Sequence, residues 1–158
     1  MKQIPLKNQY NIFALVDDED YNHVMRYKSW RLQIHGGHAV TGIRSIKIHW
    51  LLLECPDGME IDHIDHNPLN NQKSNLRVCL RSENCANRRR QTNNTTGYKG
   101  VSFNQILNKY AAYNKKDGTK FHLGLYTTAE EAALVYDKKA KEAFGDFAFL
   151  NFPDKDSQ

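Results

Sequence analysis

The sequence predicts an α+β protein made of two successive units, each combining a small sheet with a helix. Short apolar runs alternate with polar turns over residues 11–80, which is typical of several short strands. A polar stretch of low complexity, 91–96, then interrupts the pattern. Three β-rich segments and one alanine-rich helical stretch follow it. A length of 158 residues suits one domain or two small ones.

The first apolar run, 11–16, predicts a buried strand, and the acidic run Asp17–Asp20 predicts the start of a helix that extends to about Lys28. A metal site is the alternative for the acidic run, although four consecutive carboxylates cannot all converge on one ion. The following elements are predicted to be strands at 30–34 and 38–41 around a glycine turn, a strand at 46–48 and a short helix at 49–54.

Residues 59–64 and 76–80 predict two further strands, joined by a polar loop that opens at Asn67-Pro68. Ser82 is a suitable N-cap for a helix from Glu83 to about Arg90. The predicted order in this region is therefore strand, loop, strand, helix.

The segment after 97 predicts a βββα unit, with strands at 99–104, 109–116 and 120–125. Asp117-Gly118 is a strong hairpin signal between the last two strands. Overlapping capping boxes at Thr127 and Thr128 begin a helix that continues to Phe144. Alanines recur along this helix at helical spacing, so one side of it can pack closely against a sheet.

The positive charge is concentrated in the middle of the chain. The net charge is +4, but residues 62–96 carry 6 basic and 3 acidic side chains, and residues 97–126 carry 5 and 1. Residues 1–61 are neutral and residues 127–158 are acidic. This distribution is typical of a protein that binds a polyanion. From charge alone, an ordinary solvated basic surface remains the alternative.

Three cysteines without a Cys-x-x-Cys pair argue against a disulfide framework and favour a cytoplasmic protein with buried free thiols. A zinc site formed by these cysteines with His63 or His66 remains a weaker alternative. No apolar run is long enough to span a membrane, and no signal peptide is evident.

Residues 62–87 contain the groups that a metal-dependent phosphodiesterase needs. Asp62 offers an anionic oxygen to Mg²⁺ or Mn²⁺, and neutral His63 can accept a proton from water. Asn84 and Asn87 lie on one face of the predicted helix and can complete the metal shell, while Asn75 can orient the histidine ring. On a regular strand, however, Asp62 and His63 point to opposite faces. Either the backbone bends there, or the metal and the water straddle the strand.

The phrase IDHIDHNPLNNQKSNLRVCLRSENCANRR resembles the HNH homing endonucleases of phages and introns, which have a ββα-metal site. This resemblance covers roughly residues 10–90. It implies that His63 is the general base, that Asp62 and Asn84 bind the metal with Asn87 as a second choice, and that Asn75 positions His63. His66 departs from the family pattern, in which glycine is usual at that position.

The segments GYKGVSFN, HLGLYTTAEEAALVYDKKA and LNFP resemble the plant ethylene-response-factor DNA-binding domain, whose three-stranded sheet enters the major groove. The residues that match its DNA-contacting positions are Lys99, Ser102, Asn104, Tyr113, Lys115, Lys120 and His122. The arginines of the plant face are missing here, so lysines are expected to contact phosphate while Ser102, Asn104 and Tyr113 are candidate base readers. Arg88, Arg89 and Arg90 are candidates for a phosphate clamp.

We therefore expect an HNH nuclease domain at 1–92 with its ββα-metal core at about 56–92, a linker at 93–96 and a DNA-binding domain at 97–154. The expected function is Mg²⁺- or Mn²⁺-dependent cleavage of double-stranded DNA by a phage or mobile-element enzyme, without a small-molecule cofactor or a membrane. A catalytically silent DNA-binding regulator is the alternative, and RNA binding is disfavoured because the second unit lacks an obvious set of exposed stacking aromatics.

Overall fold

The computed structural model describes residues 1–153 and divides into two compact units, Met1–Arg81 and a second unit that begins at Ser82. The predicted mixed α/β class is confirmed. The division between the units lies before the 93–96 segment that the sequence suggests as a linker. Among the residues described, no helix has both the length and the apolar character needed to cross a membrane.

The first unit contains three small antiparallel sheets and two short helices. Strands β1 and β2 pair with each other, β3, β4 and β5 form a three-stranded sheet, and β6 pairs with β7. The bounds in chain order are β1 Lys2–Pro5, β2 Phe13–Val16, α1 Tyr21–Met25, β3 Arg31–Leu32, β4 Ala39–Thr41, β5 Ile46–Lys47, α2 His49–Leu52, β6 Met59–His63 and β7 Leu76–Leu80. A 3₁₀ turn, Lys73–Asn75, leads into β7.

The core of this unit is formed by the strands, helices and loops that precede the β6–β7 hairpin. Its fully buried members include Ile4, Val16, Val24 and Ile48, with Trp30 packed among them. The hairpin loop is attached to this core through the main chain of β2. Leu15 donates to the carbonyl of Leu69 at 2.7 Å, and Leu15 in turn accepts a hydrogen bond from the amide of Asn71 at 2.8 Å. The N-terminal strands therefore hold the hairpin loop in place.

Helix α1 is shorter than the sequence predicts, since it covers five residues and starts four residues after Asp17. The reason is that Asp17 is used elsewhere. Its carboxylate accepts hydrogen bonds from the side chain of Gln72 at 3.0 Å and from the amide of Lys73 at 2.8 Å. Asp17 thus makes a tertiary contact and does not start the helix that the local sequence predicts. Strand β1 was not predicted, because four residues ending in proline give little strand signal.

The second unit is a three-stranded antiparallel sheet in the order β10-β9-β8, with a long helix packed against all three strands. Helix α3, Arg81–Asn87, begins one residue before this unit. The other elements are β8 Val101–Asn104, β9 Lys109–Lys116, β10 Thr119–Tyr126 and α4 Ala129–Phe144. Helix α4 begins with the predicted capping box between Thr128 and Glu131 and ends at Gly145. Val101, Ala112, Ala132 and Ala133 form the buried contact between sheet and helix.

Two features hold the segments before β8 and after α4 against helix α4. Gly100 has a φ of +75°, and a Cβ built on it would lie 2.0 Å from the ring of Tyr136, so only glycine fits there. Buried Asp137 accepts hydrogen bonds from the main chain of Asn151 and Phe152, both at 2.8 Å. Asn151 also bonds to both the amide and the carbonyl of Lys99.

The 93–96 segment is an ordered turn. The side-chain oxygen of Asn94 accepts hydrogen bonds from the amides of Thr96 and Gly97, and the hydroxyl of Thr96 donates to the carbonyl of Val101 at 3.0 Å. The polar residues that the sequence predicts to be a linker thus form a hydrogen-bonded turn that leads into β8.

Candidate functional site

Asp62 and His63 are the last two residues of β6, and both side chains are buried. The β6–β7 pairing stays in regular register to its end, with Asp62 opposite Arg77 and His63 opposite Leu76. Consecutive residues of a regular strand point to opposite faces. The two side chains therefore leave β6 on opposite sides, and the strand shows no register shift at Asp62 or His63.

Arg77 holds the carboxylate of Asp62. Its Nε and Nη2 lie 3.0 and 2.9 Å from Oδ2 of Asp62, in an ion pair that is largely shielded from solvent. Loss of one partner from such a pair is strongly destabilising, by about 3–5 kcal/mol in typical cases. Arg77 was not predicted from sequence to have a role in the site. The signal was available in the strand register, which places the two residues directly opposite each other.

The ring of His63 is held by Asn71. Nε2 of His63 lies 3.4 Å from Oδ1 of Asn71, whose side chain is only 1% exposed. Nδ2 of Asn71 donates to the carbonyl of Leu69 at 3.1 Å, so the amide oxygen is the atom turned toward the histidine. Asn71 lies within the motif but was not assigned this role from sequence.

Two further histidines surround His63. The ring centroids of His38 and His49 lie 5.7 and 5.0 Å from that of His63, and 5.1 Å from each other. One ring nitrogen from each of the three lies within 4.8 Å of the others. His38 lies just before β4, His49 begins α2 and His63 ends β6. Only the tertiary fold therefore brings the three rings together.

All three rings have a pKa below that of an ordinary histidine. Burial, reinforced by the other cations nearby, lowers the pKa of His38 to about 4 and that of His49 to about 3. Burial also lowers the pKa of His63, partly opposed by its hydrogen bond to Asn71 and by the charge of Asp65. A neutral imidazole is the form that can accept a proton or bind a metal.

Asn75 acts on the loop that follows His63. Its Oδ1 accepts a hydrogen bond from the amide of Asp65 at 3.0 Å, and its Nδ2 donates to Oδ1 of Asp65 and to the carbonyl of Asn70, at 2.9 and 2.8 Å. The amide of Ile64 donates to the carbonyl of Asn75 at 2.9 Å. The ring contact expected of the Asn75 side chain is thus made by Asn71, while Asn75 fixes the backbone on either side.

The loop between β6 and β7 has one residue in the left-handed region. His66 has a φ of +61°, a backbone conformation that glycine adopts without steric cost. This explains why glycine is usual at that position in the family pattern noted above. Histidine tolerates the conformation better than most side chains do.

Asn84 and Asn87 both lie on α3 and are three residues apart, as predicted, with Asn87 buried and Asn84 half-buried. The helix starts one residue before Ser82, so that serine lies within its first turn and is not the N-cap. It also ends at Asn87, not at Arg90. The three arginines, Arg88, Arg89 and Arg90, follow the helix and are exposed.

Lys99 lies against the end of α3. Its ammonium donates hydrogen bonds to the carbonyls of Ala86 and Arg88, which are among the groups a helix end leaves unpaired. Burial lowers the pKa of Lys99 to about 8. The structure thus places the Lys99 ammonium at the end of α3, and its contact with DNA phosphate stays a prediction.

The other six predicted DNA-contacting residues lie on one face of the second sheet. Ser102 pairs with Ala111, Tyr113 with His122 and Lys115 with Lys120, and cross-strand partners share a face. Asn104 pairs with Lys109, two residues before Ala111 on the same strand. Helix α4 covers the opposite face, where Ala112 lies. The outer face therefore carries Ser102, Asn104, Lys109, Tyr113, Lys115, Lys120 and His122.

Tyr113 is the centre of this outer face. Nζ of Lys120 lies 3.6 Å from the centroid of its ring, and the ring of His122 packs edge-on at 5.2 Å. Asn104 has a second role, because its Oδ1 accepts a hydrogen bond from the amide of Leu107 in the turn between β8 and β9.

The three cysteines are free thiols. Cys79 is buried as expected, but Cys55 and Cys85 are exposed, which corrects the prediction that all three thiols are buried.

Comparison with known proteins identifies the class. The HNH endonuclease family matches residues 54–86, which include Asp62, His63, Asn75 and Asn84. An uncharacterised HNH endonuclease of Acanthamoeba polyphaga mimivirus is 33% identical over 145 residues, covering 88% of this chain and 74% of the viral protein. Protein 3.8 of Escherichia phage T7 is 34% identical over 59% of this chain and 76% of its own length. The chain belongs to the HNH endonuclease family.

A shorter similarity connects the chain to plant proteins. Dehydration-responsive element-binding protein 2A of Arabidopsis thaliana is 37% identical over 67 residues, which are 41% of this chain and 20% of the plant protein. No solved structure matches the chain.

Proposed function

We propose that the protein is a divalent-metal-dependent endonuclease that hydrolyses phosphodiester bonds of double-stranded DNA. The observation that carries this proposal is the arrangement at the end of β6. There, buried His63 is held by Asn71 and kept neutral by burial, next to a carboxylate fixed by Arg77. This arrangement lies within the segment that matches the HNH family.

His63 is proposed as the general base that takes a proton from the attacking water. Since Oδ1 of Asn71 faces Nε2, that nitrogen carries the ring hydrogen, and Nδ1 is left with the lone pair. Asn71 thus selects the tautomer and orientation of the base. A positioned base typically contributes about 10²- to 10⁴-fold to a rate.

Asp62 is proposed as a metal ligand, with Asn84 and then Asn87 as further ligands assigned from the sequence pattern. Carboxylate and amide oxygens are the donors that Mg²⁺ and Mn²⁺ prefer, so this donor set fits the ion that the family implies. When bound, such an ion neutralises charge that builds on the phosphate and stabilises the leaving oxygen. The Arg77 contact fixes the orientation of the Asp62 carboxylate.

The outer face of the second sheet is proposed to bind DNA. It carries Lys109, Lys115 and Lys120 for phosphate, with Ser102 and Tyr113 between them as candidate base readers. The similarity to a plant protein named for element binding supports this assignment. Asn104 remains a candidate base reader whose amide also caps a turn, and the exposed Arg88–Arg90 segment remains a candidate phosphate clamp.

A plasmid-nicking assay tests the nuclease proposal. We expect supercoiled DNA to be cut with Mg²⁺ or Mn²⁺ and protected by EDTA. His63→Ala should abolish cleavage while duplex binding is retained, because a base acts in the transition state. His35→Ala, an exposed histidine of the same unit, is the matched control. Cleavage by His63→Ala within tenfold of the parent would refute the assignment, and DNA binding without any cleavage would favour a silent regulator.

The viral relatives support a role as a homing or mobile-element enzyme. Such an enzyme cuts few sites, so mapping of cleaved ends on a genomic library should show a single long preferred sequence. Uniform cutting would be inconsistent with homing while leaving the nuclease activity intact.

A further inference from the structure

We propose that the first unit binds a Zn²⁺-class transition-metal ion through His38, His49 and His63, at a site distinct from the Mg²⁺ ligand set. One ring nitrogen from each histidine lies within 4.8 Å of the other two. Imidazole nitrogen is a preferred ligand of Zn²⁺, Ni²⁺, Co²⁺ and Cu²⁺ and a poor ligand of Mg²⁺. Three histidines with an open fourth position form a well-known zinc coordination set.

The hydrogen bonding of the cluster independently indicates a ligand. Nδ1 of His38 and Nδ1 of His49 are buried and have no hydrogen-bond partner among residues 1–153. His49 is 97% shielded, since only 3% of its surface is exposed. Leaving a buried polar atom unpaired is costly, by about 1–3 kcal/mol, so native proteins rarely do it without a ligand or water.

The distances allow an ion to be bound by small movements. Zinc–nitrogen bonds of about 2.0–2.1 Å in a tetrahedral set place the nitrogens about 3.3 Å apart. The cluster therefore has to close by at most about 1.5 Å. His38 can provide much of this movement, because it directly follows the Gly36-Gly37 turn and is only partly buried.

Asn71 completes the surroundings of the ion. Its Oδ1 faces His63, and its side chain also hydrogen-bonds to His49. This contact orients the two rings from outside the ligand set, as an outer-shell partner does.

An ion bound to His63 would prevent its ring from accepting the proton of the attacking water. If the proposed function is correct, micromolar Zn²⁺ would therefore inhibit the nuclease reversibly in the presence of millimolar Mg²⁺. This consequence rests on the proposed role of His63, whereas metal binding itself does not.

Metal binding is tested on the full chain after removal of metals with a chelator. Zn²⁺ affinity is measured by competition with a chromophoric chelator at a fixed excess of Mg²⁺, and Co²⁺ is used as a spectroscopic probe. We expect one ion per chain and cobalt bands typical of nitrogen and oxygen ligands. His38→Gln and His49→Gln should each weaken binding by more than about 100-fold, since even loss of an outer-shell partner costs 10–100-fold.

The control variants are His35→Gln, an exposed histidine of the same unit, and Cys55→Ser with Cys85→Ser, which remove the exposed thiols. Circular dichroism of the metal-free variants shows whether each one folds, and His38→Gln is the less buried and safer change. Unchanged affinity in folded His38→Gln, cobalt bands from thiolate, or no stoichiometric ion would each overturn the proposal.

Inhibition is measured separately, as the ratio of cleavage with and without Zn²⁺ for each protein. The ratio should rise toward one in His38→Gln. Stoichiometric binding to an inactive protein would contradict the nuclease proposal alone, and an active nuclease that binds no Zn²⁺ would contradict the zinc site alone.

Discussion

His38 and His49 predict that the first unit loses stability in mild acid. The pKa of His38 is lowered to about 4 and that of His49 to about 3, whereas an unfolded histidine titrates near 6.5. Between these values the unfolded chain binds more protons than the folded one. The stability that depends on these neutral histidines is therefore fully present above about pH 6.5 and is lost as the pH falls toward 4.

The size of the effect follows from linkage. At pH 5.5, one unit below the unfolded pKa, each histidine that stays neutral in the folded state lowers the free energy of unfolding by about 1.4 kcal/mol. His38 and His49 together would then lower the free energy of unfolding by about 3 kcal/mol between pH 7.5 and 5.5. That is a large share of the roughly 5–15 kcal/mol typical of a domain.

The assay is urea unfolding at both pH values in EDTA, followed by tryptophan fluorescence. Both tryptophans, Trp30 and Trp50, lie in the first unit, so their signal reports on that unit. His38→Gln should halve the difference in unfolding free energy between the two pH values, whatever its effect at pH 7.5. His35→Gln should leave that difference unchanged. Equal acid sensitivity of the parent and His38→Gln would refute the reasoning.

Further predictions concern individual contacts of the site and of the sheet. Asn71→Ala should lower the cleavage rate about 10- to 100-fold and change its pH profile. In the parent protein the rate should rise with pH, with a pKa below 6.5, and then level off, since burial lowers the pKa of His63. An unaltered rate would remove Asn71 from the mechanism. Arg77→Gln should raise the Mg²⁺ concentration needed for half-maximal cleavage and lower stability by up to about 3–5 kcal/mol, measured by metal titration and urea unfolding. Lys120→Ala should reduce the salt slope of duplex binding by about 0.9 for one lost phosphate contact, whereas Lys138→Ala, on the exposed side of α4, should not; equal slopes would argue against the outer face as the DNA surface.

Local patterns were sufficient for most elements of the fold. The Asp117-Gly118 turn, the capping box at Thr128 and the alternating strands around them depend on nearby residues, and they were predicted close to their observed bounds. Helix α1 was predicted too long because its acidic start is used in a contact 55 residues away, with Gln72. Propensity does not contain that information.

In the proposed site, too, local patterns predict some residues and only the tertiary fold places the others. Asp62, His63 and Asn75 could be predicted because they lie within one short motif that carries its own spacing. Asn71 was visible in the motif, but its role depends on which way its amide turns, and the Leu69 carbonyl decides that. His38 and His49 carry no local signal, because they approach His63 only when the β3–β4 hairpin and α2 pack beside β6.

The tie between β2 and the hairpin loop explains why a segment outside the HNH match is necessary for the proposed chemistry. Asn71 can present its oxygen to His63 only while its own amide is fixed to Leu15, and Leu69 is fixed to the same residue. Asp17 holds the following turn through Gln72 and Lys73, and its pKa is lowered by these hydrogen bonds, so the anchor remains charged well below neutral pH. The first strands of the chain thus position the proposed base in a motif that lies about fifty residues further along. A β6–β7–α3 fragment without them would keep its candidate ligands but lose the orientation of His63.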